Sequence, residues 1–180
     1  MRIISGNNKG AIIKAPAGLP VRPTTDRAKE SLFNILSCTV NFNEISVLDL
    51  FSGTGNIAYE FASRGAKEII CVDIHHQCIQ FIKQISTKFG FNIKAIKSDA
   101  FAFIKSCNLK FDIIFADAPY ALPAIKEIPY FVQQKKILKH GGLLIIEHAS
   151  SLNFSNEPSF AEVRKYGQSS FSFFKNLNHE

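Results

Sequence analysis

A short apolar run followed by a glycine-rich loop constrains the fold of this chain more than any other stretch. Residues 45–50 have the length and apolar content of a buried strand, and they lead into Gly53-Thr54-Gly55. Glycines let the backbone come close to a ligand and leave the amino end of a following helix open toward it. After the loop, apolar side chains recur at helical spacing at Ile57, Ala58, Phe61 and Ala62. Strand, loop and helix indicate the first unit of a nucleotide-binding α/β fold.

Further strand-like runs occur along the chain, separated by helical repeats. We predict strands at residues 68–72, 93–96, 111–116 and 143–147. Residues 121–139 are expected to form a loop and then a helix that ends at Gly141-Gly142. We predict a closing hairpin from residues 163–166 and 171–174, which turns at Gly167-Gln168.

The first 40 residues have a different character. Residues 2–5 and 11–14 flank a turn rich in glycine and asparagine, which predicts a β-hairpin with Lys9 at its tip. A proline-rich loop then leads to Thr24-Thr25-Asp26, which are good types for the start of a helix. We therefore divide the chain into a hairpin-loop-helix extension at residues 1–40 and a main domain at residues 41–180, together forming one compact unit.

Positive charge is concentrated in this extension. The chain has a formal net charge of +6, and residues 1–30 contain six Lys or Arg side chains against two acids. Such a concentration suits a phosphate backbone. A solvated basic arm that keeps the protein soluble is the alternative.

The composition predicts a cytoplasmic protein with a single core. The 180 residues, 46% of them hydrophobic, suffice for one compact domain. No run approaches the roughly 18 apolar residues of a membrane span, and the N-terminal apolar part is too short for a signal peptide. The four cysteines are scattered, so we interpret them as reduced core thiols and expect neither a disulfide nor a metal site.

Acidic side chains stand near the ends of three predicted strands. Asp49 lies in the first strand, and Asp73 ends the second, where a carboxylate can accept both hydroxyls of a ribose. Asp99 follows the third strand and could bracket an adenine together with Phe101. Ser98-Asp99 also suits a helix N-cap, and the two roles are compatible.

The glycine loop leaves two cofactors to be weighed. Residues 53–58 satisfy the GxGxxG/A pattern, so a nicotinamide oxidoreductase is an alternative. Asp49 favours a cationic ligand instead, because a carboxylate attracts an ammonium group and repels a pyrophosphate. S-adenosylmethionine carries an ammonium, a sulfonium, a ribose and an adenine. The distribution of Asp49, Asp73 and Asp99 therefore favours S-adenosylmethionine over NAD.

Asp117-Ala118-Pro119-Tyr120 follows the fourth predicted strand, at the edge where open α/β sheets bind ligands. The acid and the carbonyl before the proline can accept hydrogen bonds from an amino group, and the aromatic face can stack on a planar base. These residues predict a site for an exocyclic amine on a flat ring. An ordinary strand-ending turn is the alternative, because Asp, Pro and Tyr are common there.

Several motifs carry a resemblance to known methyltransferases. Asp49-Leu50-Phe51-Ser52-Gly53-Thr54-Gly55 resembles the first motif of class I methyltransferases. Asp117-Ala118-Pro119-Tyr120 resembles the (Asp/Asn)-Pro-Pro-(Tyr/Phe) signature of amino-group methyltransferases. Arg2-Ile3-Ile4-Ser5-Gly6, Arg22-Pro23-Thr24-Thr25-Asp26-Arg27 and Glu30-Ser31-Leu32-Phe33-Asn34-Ile35-Leu36 are similar to the RsmD family, which methylates N2 of a guanine in 16S ribosomal RNA. The similarity covers nearly the whole chain.

The resemblance implies a fold and an activity. The fold is a Rossmann-like class I methyltransferase sheet, mostly parallel with the last strand antiparallel, and an N-terminal hairpin and helix are added to it. The activity is methyl transfer from S-adenosylmethionine to a guanine N2, expected at guanine 966. The implied substrate is 16S ribosomal RNA in the small ribosomal subunit or an assembly intermediate, and the implied enzyme is a monomer.

The resemblance also assigns roles to individual residues. The implied cofactor-binding residues are Asp49, Phe51, Ser52, Gly53, Gly55, Asn56, Asp73, Ile74, Asp99, Ala100 and Phe101. The residues implied to hold the target amine are Asp117, Ala118, Pro119 and Tyr120. The implied substrate-binding residues are Lys9, Arg22, Thr24, Thr25, Arg27 and Tyr120.

Two positions depart from the family pattern. Ala118 replaces the usual first proline, which keeps the accepting carbonyl but frees φ and adds an N–H. Ala11 follows Lys9-Gly10, where an arginine is common. An adenine-N6 or other amino-group nucleic-acid methyltransferase, and a nonenzymatic RNA-binding module on this fold, are the alternatives to the implied activity.

Overall fold

The computed structural model describes residues 1–16, 18–19, 25–119 and 122–176. Within them, five α-helices flank a seven-stranded sheet. The helices are α1 (Asp26–Ser37), α2 (Asn56–Ser63), α3 (His76–Phe89), α4 (Ala100–Ser106) and α5 (Ile128–Lys135). The strands are β1 (Ser46–Leu50), β2 (Glu68–Asp73), β3 (Ile93–Lys97), β4 (Phe111–Asp117), β5 (Leu138–Ala149), β6 (Phe160–Tyr166) and β7 (Ser169–Lys175). None of these helices is long and apolar enough to cross a membrane.

The strand order is β3-β2-β1-β4-β5-β7-β6. β1 pairs in parallel with β2 and β4, β2 with β3, and β4 with β5. β7 pairs antiparallel with both β5 and β6. The sheet is therefore mostly parallel with an antiparallel last strand, and the predicted fold class is confirmed. The strand order reverses between β1 and β4, and such sheets bind ligands in the crevice at that point.

The sheet is covered on both faces, with one apolar cluster on each. Val47 and Leu48 of β1 are both fully buried, yet they belong to opposite clusters because successive side chains of a strand point to opposite faces. α1, α2 and α3 pack on the Val47 face, whereas α4 and α5 pack on the Leu48 face. A strand covered on both faces must be apolar throughout, which explains the uninterrupted apolar runs of the sequence.

The predicted N-terminal hairpin is confirmed, and it lies along α2. The Ile3 amide donates to the Ala11 carbonyl at 3.0 Å. In the turn, the Asn7 amide donates to the Ser63 carbonyl at 2.7 Å. Gly6 has no room for a side chain, since a Cβ there would overlap the same carbonyl. The turn of the hairpin is therefore fixed at the carboxyl end of α2.

A buried ionic cluster joins the hairpin to α1 and α2. Glu60 on α2 is fully buried, and its carboxylate accepts hydrogen bonds from the Ile4 amide at 2.8 Å, the Ser5 amide at 3.0 Å and Arg64 Nε at 2.9 Å. The Lys29 ammonium of α1 lies 4.0 Å from the same carboxylate. Removing one member of such a cluster leaves an uncompensated buried charge. The extension is thus held by the helix that follows the glycine loop, while the division of the chain at residue 40 stays a prediction.

The structure corrects the prediction for the region after α5. A helix that continues to residue 139 and stops at Gly141-Gly142 is wrong. Lys136 adopts a left-handed φ of 51° that ends α5, and β5 already begins at Leu138. The two glycines lie inside β5, where its register with β4 shifts and where a Cβ on Gly142 would lie 2.9 Å from the Asp112 carbonyl oxygen. They permit a bulge in a strand and do not end a helix.

The cysteines are distributed differently from the prediction. Cys71, Cys78 and Cys107 are buried, as expected of core thiols. Cys38 is exposed, so its interpretation as a core thiol is wrong. The reason is that α1 ends at Ser37, and the chain leaves the buried face of that helix there.

Candidate active site

A cavity of about 770 Å³ lies at the carboxyl edge of the sheet. The loops that follow β1, β2 and β3 line one part of it. The loop after β4 and the adjoining ends of β5 and β7 line the other part. Its volume falls within the usual range of small-molecule sites, and its place agrees with the ligand-binding crevice of open α/β sheets.

Most of the predicted site residues line this cavity. From the predicted cofactor set these are Asp49, Phe51, Ser52, Gly53, Asn56, Asp73, Ile74, Asp99, Ala100 and Phe101. Asp117, Ala118 and Pro119 line the same cavity on the β4 side. Tyr120 lies outside the described residues. One cavity therefore brings the glycine loop and the corner after β4 together.

Backbone amides from two loops hold Asp73 in place. The Gly53 amide donates to Asp73 Oδ2 at 2.8 Å, and the His75 amide donates to Oδ1 at 2.7 Å. Each oxygen of this buried carboxylate keeps a further lone pair that can accept a hydrogen bond from a hydroxyl.

Phe51, at the start of the glycine loop, has a φ of 58°, which is an unusual and strained conformation for an aromatic residue.

Gly55 has a different position from the other predicted cofactor residues. It begins α2 with a left-handed φ of 81° and is not among the residues that line the cavity. A Cβ at this position would lie 2.8 Å from Tyr59 Cζ and 3.0 Å from Ile82 Cγ1. The absence of a side chain at Gly55 therefore lets Tyr59 and Ile82 pack closely at the start of α2. Gly55 itself does not line the cavity.

The burial and the unpaired oxygen of Asp49 indicate which chemical group a ligand would place beside it. It is 2% exposed, and burial, reinforced by the nearby Asp73 carboxylate, raises its pKa to about 8. Within the described part of the chain, Asp49 Oδ2 has no hydrogen-bond partner. Leaving a buried acceptor unpaired typically costs about 1–3 kcal/mol. An ammonium group would satisfy this oxygen and favour the charged carboxylate, so Asp49 fits the amino-acid end of S-adenosylmethionine.

Asp99 and Phe101 close the β3 end of the cavity. Asp99 Oδ1 accepts the Ala102 amide at 2.8 Å, which confirms that Asp99 is the N-cap of α4. The same residue lines the cavity, so the cap and a ligand contact are compatible. Phe101 lies edge-on to Phe51, with 6.3 Å between the ring centroids, and the two rings form an apolar wall.

The corner after β4 combines a partly buried acid with a buried alanine. Asp117 ends β4 and is partly buried, whereas Ala118 is 1% exposed and belongs to the apolar cluster on the Leu48 face. The Pro119 carbonyl accepts the Leu122 amide at 2.8 Å, which closes the turn. The alanine that replaces the usual proline therefore contributes its methyl group to the core.

The far wall of the cavity contains residues that sequence reasoning missed. Glu147 on β5 is 5% exposed, is the register partner of Asp117 and accepts a hydrogen bond from Ser169 Oγ at 2.7 Å. Tyr166 and Gln168, from the turn of the closing hairpin, line the cavity beside it. Glu147 could have been predicted from the sequence, because it is an acid at the end of an apolar run. No sequence pattern indicates that Tyr166 and Gln168 reach the cavity, because their position depends on the insertion of β7 between β5 and β6.

The start of α1 reaches the cavity through Thr25. Thr25 lines the cavity and also caps α1, because its Oγ1 accepts the Ala28 amide at 3.2 Å. Arg27, in the first turn of the same helix, is exposed and is not part of the lining. Of these two predicted substrate residues, the structure thus places one in the cavity and the other on the surface near it.

Lys9 is not brought to the cavity. It is exposed in the hairpin turn, which is hydrogen-bonded to Ser63 at the carboxyl end of α2, whereas the cavity lies at the amino end of that helix. The remaining predicted substrate residues, Arg22, Thr24 and Tyr120, lie outside the described residues.

A buried lysine that was not predicted supports one residue of the site. Lys29 Nζ donates to Asn56 Oδ1 at 2.8 Å and to the Arg2 carbonyl at 2.6 Å, and burial lowers the pKa of Lys29. Asn56 lines the cavity, so this contact fixes where its amide oxygen points. The burial of Lys29 could have been predicted from its spacing, because it lies on the same helical face as Leu32 and Leu36, which are buried.

Comparison with known proteins identifies the family. A family model described as "Conserved hypothetical protein 95" matches residues 1–175. The chain is 30% identical to "Ribosomal RNA small subunit methyltransferase D" of Buchnera aphidicola subsp. Baizongia pistaciae, over 99% of this chain and 93% of the relative. The chain belongs to the RsmD family.

Two further matches agree with membership in the RsmD family. The chain is 33% identical to the putative rRNA methyltransferase YlbH of Bacillus subtilis, over 82% of each protein. The solved structure of the putative methyltransferase yhhF from Escherichia coli matches with a TM-score of 0.85 and 25% identity, over 99% of both chains. The RsmD family assignment thus covers the hairpin extension as well as the methyltransferase sheet.

Proposed function

We propose that this protein transfers a methyl group from S-adenosylmethionine to the exocyclic N2 of a guanine in 16S ribosomal RNA. The observation that carries the proposal is the single cavity that joins the glycine loop to the Asp117 corner. RsmD-family relatives named ribosomal RNA small subunit methyltransferase D support ribosomal RNA as the substrate class. The expected position is guanine 966.

The cofactor part of the cavity contains three carboxylates that could accept hydrogen bonds from S-adenosylmethionine. Asp49 would accept the ammonium group, Asp73 the ribose hydroxyls and Asp99 the adenine amine. These acids lie at or near the carboxyl ends of β1, β2 and β3, so a ligand held by all three would extend along the sheet edge toward β4. When bound, the cofactor supplies an electrophilic methyl group on a positively charged sulfur.

The Asp117 corner would hold the amine that receives the methyl group. The Asp117 carboxylate and the Ala118 carbonyl accept its two hydrogens, which favours a pyramidal nitrogen whose lone pair faces the methyl carbon. With the cofactor bound, these contacts would hold the nitrogen in line with the methyl group, and the transfer would leave the nitrogen with one surplus proton. The surplus proton passes from nitrogen to the Asp117 carboxylate. Most of the acceleration comes from proximity and alignment, and Tyr120 is expected to stack on the base.

The base must leave its stack to reach this corner. Thr25 lines the cavity at the start of α1, and Arg27 is exposed in the next positions of that helix. The basic extension would therefore contact the phosphates around the turned-out base. Sites of this kind in RNA are read partly by shape, which favours the small ribosomal subunit or an assembly intermediate as the substrate of a monomeric enzyme.

The decisive experiment is mass mapping of modified nucleosides in 16S RNA from cells with and without this protein. The expected result is the loss of one N2-methylguanosine, which the purified protein and S-adenosylmethionine restore on small-subunit particles. Methylation of an adenine N6, or of duplex DNA in place of particles, would contradict the proposal. Cofactor binding without any methyl transfer would favour a nonenzymatic RNA-binding module.

A further inference from the structure

The far wall of the cavity contains a carboxylate to which the proposed function, on which this inference rests, gives no role. Among the described residues, acids stand at the carboxyl ends of five neighbouring strands, in the order Asp99, Asp73, Asp49, Asp117 and Glu147. The proposed function assigns the first three to the cofactor and the fourth to the target amine. Glu147 is the next acid outward along the sheet.

Glu147 lies beside Asp117 in the same cavity. The two are register partners on the parallel strands β4 and β5, so their side chains lie on one face of the sheet, on strands about 4.8 Å apart. Glu147 is 5% exposed, and Ser169 Oγ restrains it by donating to Oε1 at 2.7 Å. A carboxylate has about four acceptor positions, and the hydrogen bond from Ser169 occupies one of them.

The chemistry of the purine edge shows what two adjacent acceptors can recognise. The exocyclic N2 of guanine carries two hydrogens, and the neighbouring ring nitrogen N1 carries one. Adenine also has an exocyclic amine, but the ring nitrogen beside it is a bare acceptor. A carboxylate accepts hydrogen bonds and, when ionised, donates none. It therefore attracts the N1–H of guanine and repels the N1 of adenine.

We propose that Glu147 accepts the N1–H of the target guanine while Asp117 holds its N2 amine, and that this pair selects guanine over adenine. The order along the sheet matches the order of groups in the reaction. The methyl donor lies over the ends of β3, β2 and β1, the amine lies at β4, and the N1–H lies one strand further, at β5. N1 and N2 are bonded to the same ring carbon, so neighbouring strands can serve both.

The test combines a side-chain substitution with a base analogue. Glu147→Gln keeps the shape of the side chain and adds an N–H donor, whereas 2-aminopurine keeps the N2 amine but has a bare N1. Wild-type protein should methylate particles with guanine at the target position roughly 10- to 100-fold more efficiently, in kcat/KM, than particles with 2-aminopurine there. In Glu147→Gln this preference should shrink or invert, because the amide donates to the bare N1.

The matched control is Glu162→Gln. Glu162 lies on β6, outside the cavity lining, and forms an exposed ion pair with Arg164 at 2.7 Å. Its replacement removes the same charge from the same sheet, so the rate and the guanine preference should stay at wild-type values. Thermal unfolding and S-adenosylmethionine binding show whether each variant is folded.

Two results would overturn the inference. One is an unchanged guanine preference in a folded Glu147→Gln protein. The other needs no variant: equal efficiency of the wild-type protein on guanine and 2-aminopurine shows that nothing recognises N1–H. A wild-type protein that methylates no guanine N2 would instead overturn the proposed function, and this outcome is seen before any variant is compared.

Discussion

Replacing Asp49 by asparagine should stabilise the cofactor-free protein and weaken cofactor binding. The Asp49 carboxyl has a pKa of about 8 in the fold, against an ordinary value of 3.8, chiefly because it is buried. The folded protein therefore binds more protons than the unfolded chain between these two values, and its stability falls as pH rises through that window. Asparagine has a similar shape and does not titrate, so it is free of this cost.

The size of the effect follows from the difference between the two pKa values. At about 1.4 kcal/mol for each pKa unit, ionising Asp49 costs the cofactor-free fold on the order of 6 kcal/mol well above pH 8 and almost nothing well below the ordinary pKa of 3.8. Between pH 6 and pH 8 the advantage of Asp49→Asn should grow by about 2 kcal/mol. For a chain of this length, such a change corresponds to roughly 6 °C in Tm.

Urea and thermal unfolding of both proteins at pH 6, 7 and 8, without cofactor, measure this difference directly. A stability difference that stays constant over this range would refute the raised pKa of Asp49. Asp112→Asn is the control: against the effect of burial, hydrogen bonds from Lys139 and Ser46 lower the pKa of Asp112. Its contribution is complete well below pH 6, so that difference should be flat. In calorimetry, Asp49→Asn should bind S-adenosylmethionine roughly 10- to 100-fold more weakly.

Three further substitutions test other parts of the structure. Asp117→Ala should lower turnover on small-subunit particles by roughly 100-fold or more while calorimetry shows nearly unchanged cofactor affinity, and normal turnover would remove Asp117 from the chemistry. Gly55→Ala should lower the free energy of unfolding in urea by about 1–3 kcal/mol, because Gly55 has a φ of 81° and a Cβ there would lie 2.8 Å from Tyr59 Cζ. An unchanged urea midpoint would contradict this packing. Lys29→Met should cost about 3 kcal/mol in the same assay because Asn56, Glu60 and the Arg2 carbonyl lose a buried cation. The exposed Lys83→Met is its control and should change little.

The parts of the site that could be predicted from the sequence are those with a local cause. Asp73 and Asp117 each end an apolar run, so one short stretch defines both the strand and the side chain at its edge. The glycine loop is local in the same way. Their meeting in one cavity follows from the rule that parallel strands end at a common edge, once the sheet is assumed.

The features that escaped prediction depend on contacts distant in sequence. Gly141-Gly142 is equally suited to ending a helix and to bulging a strand, and the Asp112 carbonyl that decides between them belongs to β4. The burial of Lys29 depends on Glu60 of α2 and on the Arg2 carbonyl of the hairpin. The position of Ser169 beside Glu147 depends on β7, which follows β6 in the chain but lies between β5 and β6 in the sheet.

The acids along the sheet edge have an electrostatic consequence for a polyanionic substrate. Each phosphate that approached them would meet carboxylates in a partly desolvated space, where like charges repel far more strongly than in bulk water. Under the proposed function, the cavity would therefore admit a neutral nucleobase and exclude the phosphates of the backbone to which it is attached. A nucleic-acid substrate would then have to rotate a single base into the cavity while its phosphates stay outside in solvent.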